Sequence, residues 1–283
     1  LLNLTGLRFE EIKKNKIKIS PQADSSIKKK YFFQYYFKIR PMSFCVSQSD
    51  MILMEDQVCL EDVKDIFELK PEISGVLPVG VDISLIEGLI HSSSFHRGDI
   101  GFRRDDLVLL TVNRLAADKG VDKIVLAMTE IIKKIPQVRL IIVGSGYQAK
   151  EIDRLIEQKG LRGYVRRFEN VSEEKLYNYY KISDMYISAF SYLGSSISTL
   201  EAMASSLPII TTAQPWLIRG NKNGLYLQDN DPLGMARAIE KLFREGQLVQ
   251  KGRNSREIAQ EYDWKTIAKM ALSRYHAILS ARS

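Results

Sequence analysis

Cysteine and histidine are both scarce in this chain. Two cysteines in 283 residues, Cys45 and Cys59, exclude a disulfide framework and a cysteine-based metal motif. Both lie among apolar neighbours and read as reduced, structural thiols. Of the three histidines, His91 and His96 stand five apart in a serine-rich stretch with no cysteine beside them, so no metal site is expected. Long apolar runs are missing too. A bilayer-spanning helix needs roughly 18 or more consecutive apolar residues, and no such run exists, so no transmembrane helix is expected. No secretory leader pattern opens the chain, which points to the cytoplasm, at most peripheral at the inner membrane surface. The first residue is Leu rather than Met, which makes a fragment the expectation.

What is present is ordinary globular material: 45% hydrophobic and 27% charged residues with a formal charge of +7, and length for two domains. Much of the basicity comes early, at Lys13, Lys14, Lys16, Lys18 and Lys28–Lys30, followed at once by Tyr31, Phe32, Phe33, Tyr35, Tyr36 and Phe37. Cations beside aromatics suit an anionic membrane surface, and the same pattern also suits a solvated loop leading into a buried helix. No recognition motif supports nucleic acid as a partner.

Patterning divides the chain. Short strands near 50–54 and 73–77 flank a helix at 57–69, which suggests a parallel sheet. Residues 91–104 lack periodicity and read as a linker. Beyond them strands and helices alternate. Strands are expected at 107–112, 138–143, 164–168, 185–188, 208–212 and 224–227. Helices are expected at about 120–135, 147–158, 172–181, from near 196 with a stripe reaching 207, and at 232–244, 247–261 and 264–280. Leu107–Val112 is apolar at nearly every position, as a strand buried on both faces is. The fold class is therefore α/β: a doubly wound parallel-sheet C-terminal domain, with part of a second Rossmann-like domain before it. The expected boundaries are 1–95, 96–263 and a last helix at 264–283 that packs back toward the N-terminal domain. In such sheets ligands bind outside the carboxyl ends of the strands.

Three of those strand ends carry chemistry. After the first comes NRLAADKG, with Arg114 and Lys119 in one loop, a planar fork and a point charge that suit a diphosphate. After the second comes Gly144-Ser145-Gly146-Tyr147-Gln148-Ala149, a G-x-G-x-x-A turn. With Glu169 after the third strand it supports an alternative, an NAD-type oxidoreductase. After the fourth comes SAFSYLGSSISTLEAMASSLPIITT, residues 188–212. Gly194 permits close backbone approach, Ser195, Ser196, Ser198 and Thr199 add hydroxyls, and the start of the helix leaves N–H groups that attract anions. The helix carries an apolar stripe at Ile197, Leu200, Ala204 and Leu207, with Glu201 on its flank. A partly buried carboxylate there needs a partner, and a neighbouring arginine is the plain expectation.

Taken in order, VNRLAADKG, LIIVGSG, RRFENVSEEKLYNYYKISDMYISAF, GSSISTLEAMASSLPIITT and the closing Tyr262-Asp263-Trp264 resemble the retaining glycosyltransferases of the GT-B fold, family 4. Pro78-Val79-Gly80-Val81-Asp82 is similar to that family's linker motif. The resemblance covers about residues 42–283. It implies that Arg114 and Lys119 are catalytic and neutralise the diphosphate of a nucleotide-sugar donor as the glycosidic bond breaks. It implies that Glu201 receives the ribose hydroxyls, that N–H groups near Ser198 and Thr199 meet the phosphates, and that the loop at Phe168–Val171, including Asn170, lies against the base. Gly144, Gly194, Ser195 and Ser196 complete the implied nucleotide-sugar-binding set. No metal and no cofactor is implied beyond the donor itself, because fixed cations and backbone donors supply the electrostatics. The acceptor is open, lipid-linked or polysaccharide among others.

This chain departs from the family pattern at Leu193, eight residues before Glu201, where the family has a glutamate that contacts the donor sugar. Leucine cannot hydrogen-bond a hydroxyl. A second functional reading follows: a domain that holds a nucleotide or nucleotide sugar without turnover.

Overall fold

The computed structural model describes residues 40–67, 69–192 and 194–280. The basic-aromatic N-terminal region and Leu193, both singled out above, lie outside the described residues. The chain forms two compact units, one of the residues up to Val79 together with those from Ile267 onward, the other of Gly80–Thr266. The division falls between Val79 and Gly80, ahead of the position expected from the linker-like composition of 91–104.

The first unit holds α1 (Arg40–Ser47), β1 (Ile52–Met54), α2 (Gln57–Phe67) and β2 (Ser74–Val76). The two strands pair in parallel, Ile52 opposite Ser74 and Met54 opposite Val76. Their core is Val46, Ile52, Met54, Leu60 and Val63. Asp56 caps α2 by accepting the Cys59 N–H at 2.8 Å, as a carboxylate at a helix start does. Glu55, Asp56 and Cys59 are also the one grouping of potential metal ligands among the described residues, and His91 and His96 are not in it. The Cys59 thiol lies 3.5 Å from the other Asp56 oxygen. Burial, and then the two carboxylates, push its pKa up, so it stays a protonated donor.

The second unit opens with α3 (Ile83–Ser92), a helix the sequence reading did not anticipate. Its signals were there: the Asp82 side chain accepts the Leu85 N–H, ahead of Ile83, Ile86 and Ile90 at helical spacing. Then follow β3 (Leu107–Val112), α4 (Val121–Ile131), β4 (Val138–Val143), α5 (Ala149–Gln158), β5 (Val165–Phe168), α6 (Glu173–Ile182), β6 (Met185–Ser188), α7 (Ile197–Ala204), β7 (Ile209–Thr211), β8 (Gly224–Tyr226), α8 (Pro232–Glu245), α9 (Leu248–Ala259) and α10 (Trp264–Ser280), the last of which runs on into the first unit. The six strands β3–β8 form one sheet in the order β5-β4-β3-β6-β7-β8, every pair parallel.

β3 and β4 are interior strands, buried at nearly every position, because helices cover both faces. Ile124, Val125, Met128 and Ile131 of α4 pack into the same core as Leu109, Leu140 and Ile142. Each such side chain contributes roughly 1.5–3 kcal/mol on burial. Pro232 opens α8 where its missing N–H costs nothing, Asp231 caps it, and Gly246 ends it in a left-handed conformation, the usual division of labour between these residues.

Residues 91–104 are more than a linker. Arg97 donates to Asp184 Oδ1 at 2.8 Å, to the Ile182 carbonyl at 2.9 Å and to the Asp106 carbonyl at 2.6 Å. It ties the amino end of β3 to the amino end of β6. Among the described residues no helix is long and apolar enough to cross a membrane.

Candidate active site

The strand order reverses between β3 and β6. One side of the sheet is built outward from β3 to β4 and β5, the other from β6 to β7 and β8. At such a switch point the loops leaving the two central strands turn away from each other and open a crevice. The loops are residues 113–120 after β3 and 189–196 after β6, so the two motif-bearing stretches meet where the topology puts a ligand.

Their junction is made by backbone. Gly120 has φ +61°, and a Cβ there would stand 2.0 Å from the Ala189 carbonyl oxygen. The Ser191 N–H donates to the Asp118 carbonyl at 3.0 Å. The glycine turn after β4 is used in the same way. A Cβ on Gly144 would meet the Asn113 carbonyl at 1.9 Å, and one on Gly146 the Leu115 carbonyl at 2.3 Å. The Leu115 N–H donates to the Ser145 carbonyl at 2.8 Å. Gly144 and Gly146 therefore let two loops of the protein touch, which accounts for the G-x-G spacing without a dinucleotide. Glu169, the acid of that alternative, is ion-paired with Arg167.

Lys119 lies at this junction. Its Nζ donates to the Tyr192 hydroxyl at 2.6 Å and stands 4.1 Å from the centroid of the Phe190 ring and 5.0 Å from that of Tyr192. Arg114 stands apart, 64% exposed, with its guanidinium 3.5 Å from Asp118 Oδ2. One cation thus has a carboxylate beside it and the other has aromatic faces.

On the other side of the crevice α7 begins at Ile197. Ser196 occupies the capping position without a side-chain cap. Its Oγ instead lies 3.0 Å from Ser198 Oγ, which lies 2.8 Å from the hydroxyl of the buried Tyr186. Tyr186 also reaches the Val112 carbonyl at 3.3 Å, so it ties the end of β3 to the start of α7. Gly194 donates its N–H to the Ala213 carbonyl at 3.4 Å, Ser195 follows it, and Thr199 is buried. The expected apolar stripe holds at Leu200, Ala204 and Leu207, whereas Ile197 is 52% exposed. The first helical residue precedes the turn that meets the core, so the periodicity overstated the stripe by one position.

Glu201 has the partner it needs, and the partner is not an arginine. Tyr177 donates to Oε1 at 3.2 Å and Tyr180 to Oε2 at 2.9 Å. Burial raises the Glu201 pKa, and the two hydroxyl donors offset part of that rise. The same burial, with the carboxylate next to them, pushes both tyrosines up, which keeps them as donors. Each carboxylate oxygen retains acceptor capacity beyond the one hydroxyl it holds. The tyrosines were missed in the sequence although their signal is there: they are i and i+3 on α6, hence on one face.

Phe168 ends β5 and stacks on Tyr179 with ring centroids 4.5 Å apart. The loop beyond it turns through Asn170 at φ +49°, a conformation asparagine tolerates better than most residues.

Comparison with known proteins matches residues 92–261 to the family described as glycosyl transferases group 1. The alpha-monoglucosyldiacylglycerol synthase of Acholeplasma laidlawii is 31% identical over 137 residues, 47% of this chain and 34% of that protein. Across the first curated relatives the chain spans between about a third and three fifths of their length. Among solved structures, the sucrose-phosphate synthase of Thermosynechococcus elongatus superposes with a TM-score of 0.74 at 20% identity, covering 95% of this chain and 66% of the other. An Anabaena protein in complex with UDP gives a TM-score of 0.71 at 19% identity, covering 81% and 64%. The fold is the parallel-sheet α/β type of the GT-B glycosyltransferases.

Proposed function

The chain belongs to the group 1 glycosyl transferases, and from that premise we propose that it holds the donor half of an enzyme moving a sugar from a nucleoside-diphosphate sugar to an acceptor, with retention at the anomeric carbon. The observation that carries the reading is the pairing, at the switch point of one sheet, of Lys119, an ammonium held by a hydroxyl and a ring and in no ion pair among the described residues, with a helix start and a buried carboxylate. A diphosphate needs the first two, and a ribose suits the third.

In this reading Lys119 and Arg114 balance the charge that builds on the diphosphate as the glycosidic bond breaks. The N–H groups of Ser198 and Thr199 face the phosphates at the positive end of α7. Glu201 accepts the ribose hydroxyls with the lone pairs its tyrosines leave free, and the Phe168–Val171 loop lines the base. A base such as uracil is supported by the UDP-bound Anabaena neighbour, and a lipid acceptor by the diacylglycerol-sugar relative. The donor chemistry requires no metal, because the fixed cations do that work. The activity belongs to the cytoplasmic side of a membrane or the cytoplasm itself.

The test is a thermal-shift panel of UDP, GDP, ADP, their sugar conjugates and NAD. A ligand that binds only the native state raises its stability by mass action. One diphosphate series should raise the melting temperature and NAD should not. A shift with NAD alone would sink the reading.

Leu193 favours a second reading, binding without turnover, since leucine offers a donor sugar no hydrogen bond. Leu193→Glu discriminates between the two. Tighter binding of the sugar conjugate by about 1 kcal/mol, the scale of one hydrogen bond, with the free nucleotide unchanged, would place residue 193 at the sugar. Equal effects on both ligands would place it elsewhere.

A further inference from the structure

The geometry points to an aromatic cradle, Phe190 and Tyr192, with Tyr192 as the residue that positions the Lys119 ammonium for the diphosphate of the donor. The inference rests on the donor reading above and goes beyond it, because it assigns a role to Phe190 and Tyr192, to which that reading gives none.

Several lysines and arginines in this unit reach carboxylates: Arg139 reaches Asp106, Arg167 reaches Asp153, and Lys134 reaches Glu240. Among the described residues no carboxylate is in salt-bridge contact with Lys119. Its neighbours are the Phe190 ring, 18° in plane from that of Tyr192, and the phenolic oxygen at the edge of Tyr192. A ring quadrupole attracts an ammonium without cancelling its charge, whereas a carboxylate would cancel it. The cradle therefore fixes the position of a flexible four-carbon side chain and leaves the full positive charge for an anion.

Local structure is arranged around the ring of Tyr192. Phe190 is buried at 3% exposure and forms the floor, while Tyr192 is 42% exposed and forms the wall. The Ser191 N–H bonded to the Asp118 carbonyl locks the segment that carries both rings to the turn that carries Lys119. Gly194 makes room: a Cβ there would come within 3.1 Å of Tyr192 Cε2. The ammonium donates to the phenolic oxygen, so the Tyr192 hydroxyl keeps its own hydrogen for a further acceptor. Tyr192 thereby offers a side-chain donor next to Leu193, which has none.

The experiment uses the whole chain and the variants Tyr192→Ala and Tyr192→Phe. The first readout is the acetylation rate of Lys119 by peptide mass spectrometry, without ligand. The Ala variant and the Phe variant, which lacks the hydroxyl, should both accelerate it several-fold. The second readout is affinity for the nucleoside diphosphate of the UDP, GDP and ADP panel that binds best, beside its monophosphate. Tyr192→Ala should weaken the diphosphate about tenfold, the scale of one hydrogen bond to a charged group, and the monophosphate far less. Tyr192→Phe, which keeps the ring and its packing, should show most of the same loss, which a merely structural defect would not produce. An unchanged acetylation rate in Tyr192→Ala overturns the cradle whatever the ligands do. Diphosphate binding by Tyr192→Ala as tight as wild type overturns the positioning role. No diphosphate binding by wild type overturns the donor reading beneath it.

Discussion

The two ends of β3 and β6 treat charge in opposite ways. At their amino ends charges are paired off. Buried Asp106 meets Arg139 at 3.1 Å, and Asp184 is held by Arg97 and by the Val108 N–H, both at 2.8 Å. At the carboxyl ends two charges are held by neutral groups, Lys119 by Phe190 and Tyr192 and Glu201 by Tyr177 and Tyr180, while exposed Arg114 keeps Asp118 beside it. A charge matched by its opposite is neutral to anything that approaches. A charge held by a ring face or a hydroxyl is fixed in place and still available. One end holds the sheet together with matched charges, and the other leaves Lys119 and Glu201 fixed but unmatched.

The largest effect should come from breaking the paired end. Arg97→Ala strips Asp184 of its counter-ion and leaves three carbonyls, those of Arg104, Asp106 and Ile182, short of a donor. The pair is partly exposed, so a loss of about 2–3 kcal/mol is expected, above the scale of a surface pair and below that of a fully buried one, read as a lower urea midpoint. Nucleoside-diphosphate affinity of the folded fraction should change less than about threefold, since Arg97 is at the amino ends of β3 and β6, opposite the carboxyl-end loops. An affinity loss equal to that of a Lys119 variant would erase the contrast between the ends.

Next in size is Lys119→Ala, which should cost about 1–3 kcal/mol of diphosphate affinity, the scale of a charged hydrogen bond, while the urea midpoint barely moves. Unaltered affinity would show that the held charge has no anion to meet. Arg114→Ala sharpens the same point at smaller size. Its exposure and the carboxylate 3.5 Å away screen it, so under about 1 kcal/mol is expected, as for an exposed ion-pair partner. If calorimetry found Arg114 the stronger of the two, availability of charge would not be what ranks them.

The smallest effect is a pH dependence. Burial raises the Glu201 pKa above its ordinary value of 4.5, so the folded protein holds a proton that the unfolded chain has released. Stability from this group is complete below about pH 4.5 and is lost as pH rises through the raised folded value. Glu201→Gln removes the titration. The melting temperature of wild type relative to the variant should fall by a degree or two as pH rises through that window. A difference independent of pH would mean that the carboxylate is better solvated than its two hydroxyl partners suggest.

Legibility followed the range of the interactions. The strands at 107–112, 138–143 and 185–188 were readable because a strand buried on both faces must be apolar throughout. The helix at Ile83–Ser92 is short and runs straight into the polar, aperiodic 91–104 stretch, which blurs its period, although Asp82 marks its start. Arg114, Lys119 and Glu201 stood out as charged residues in glycine-rich or hydroxyl-rich turns. Arg97 did not, because its partners come from residues 106, 182 and 184, distant in the chain. Ile197 was assigned to the core by spacing alone and is exposed, since only packing decides where a helix first meets the sheet.

By itself the sequence determined the element types, the parallel sheet and the turns that carry charge, because periodicity, capping and glycine conformations are local properties. Tertiary structure alone decided what holds each charge. That Glu201 rests on two tyrosines and Lys119 on two rings depends on α6, α7 and the loops after β3 and β6 converging at one switch point. No spacing along the chain encodes that convergence. It arises from the strand order β5-β4-β3-β6-β7-β8, which brings the 113–120 and 189–201 stretches side by side across a crevice.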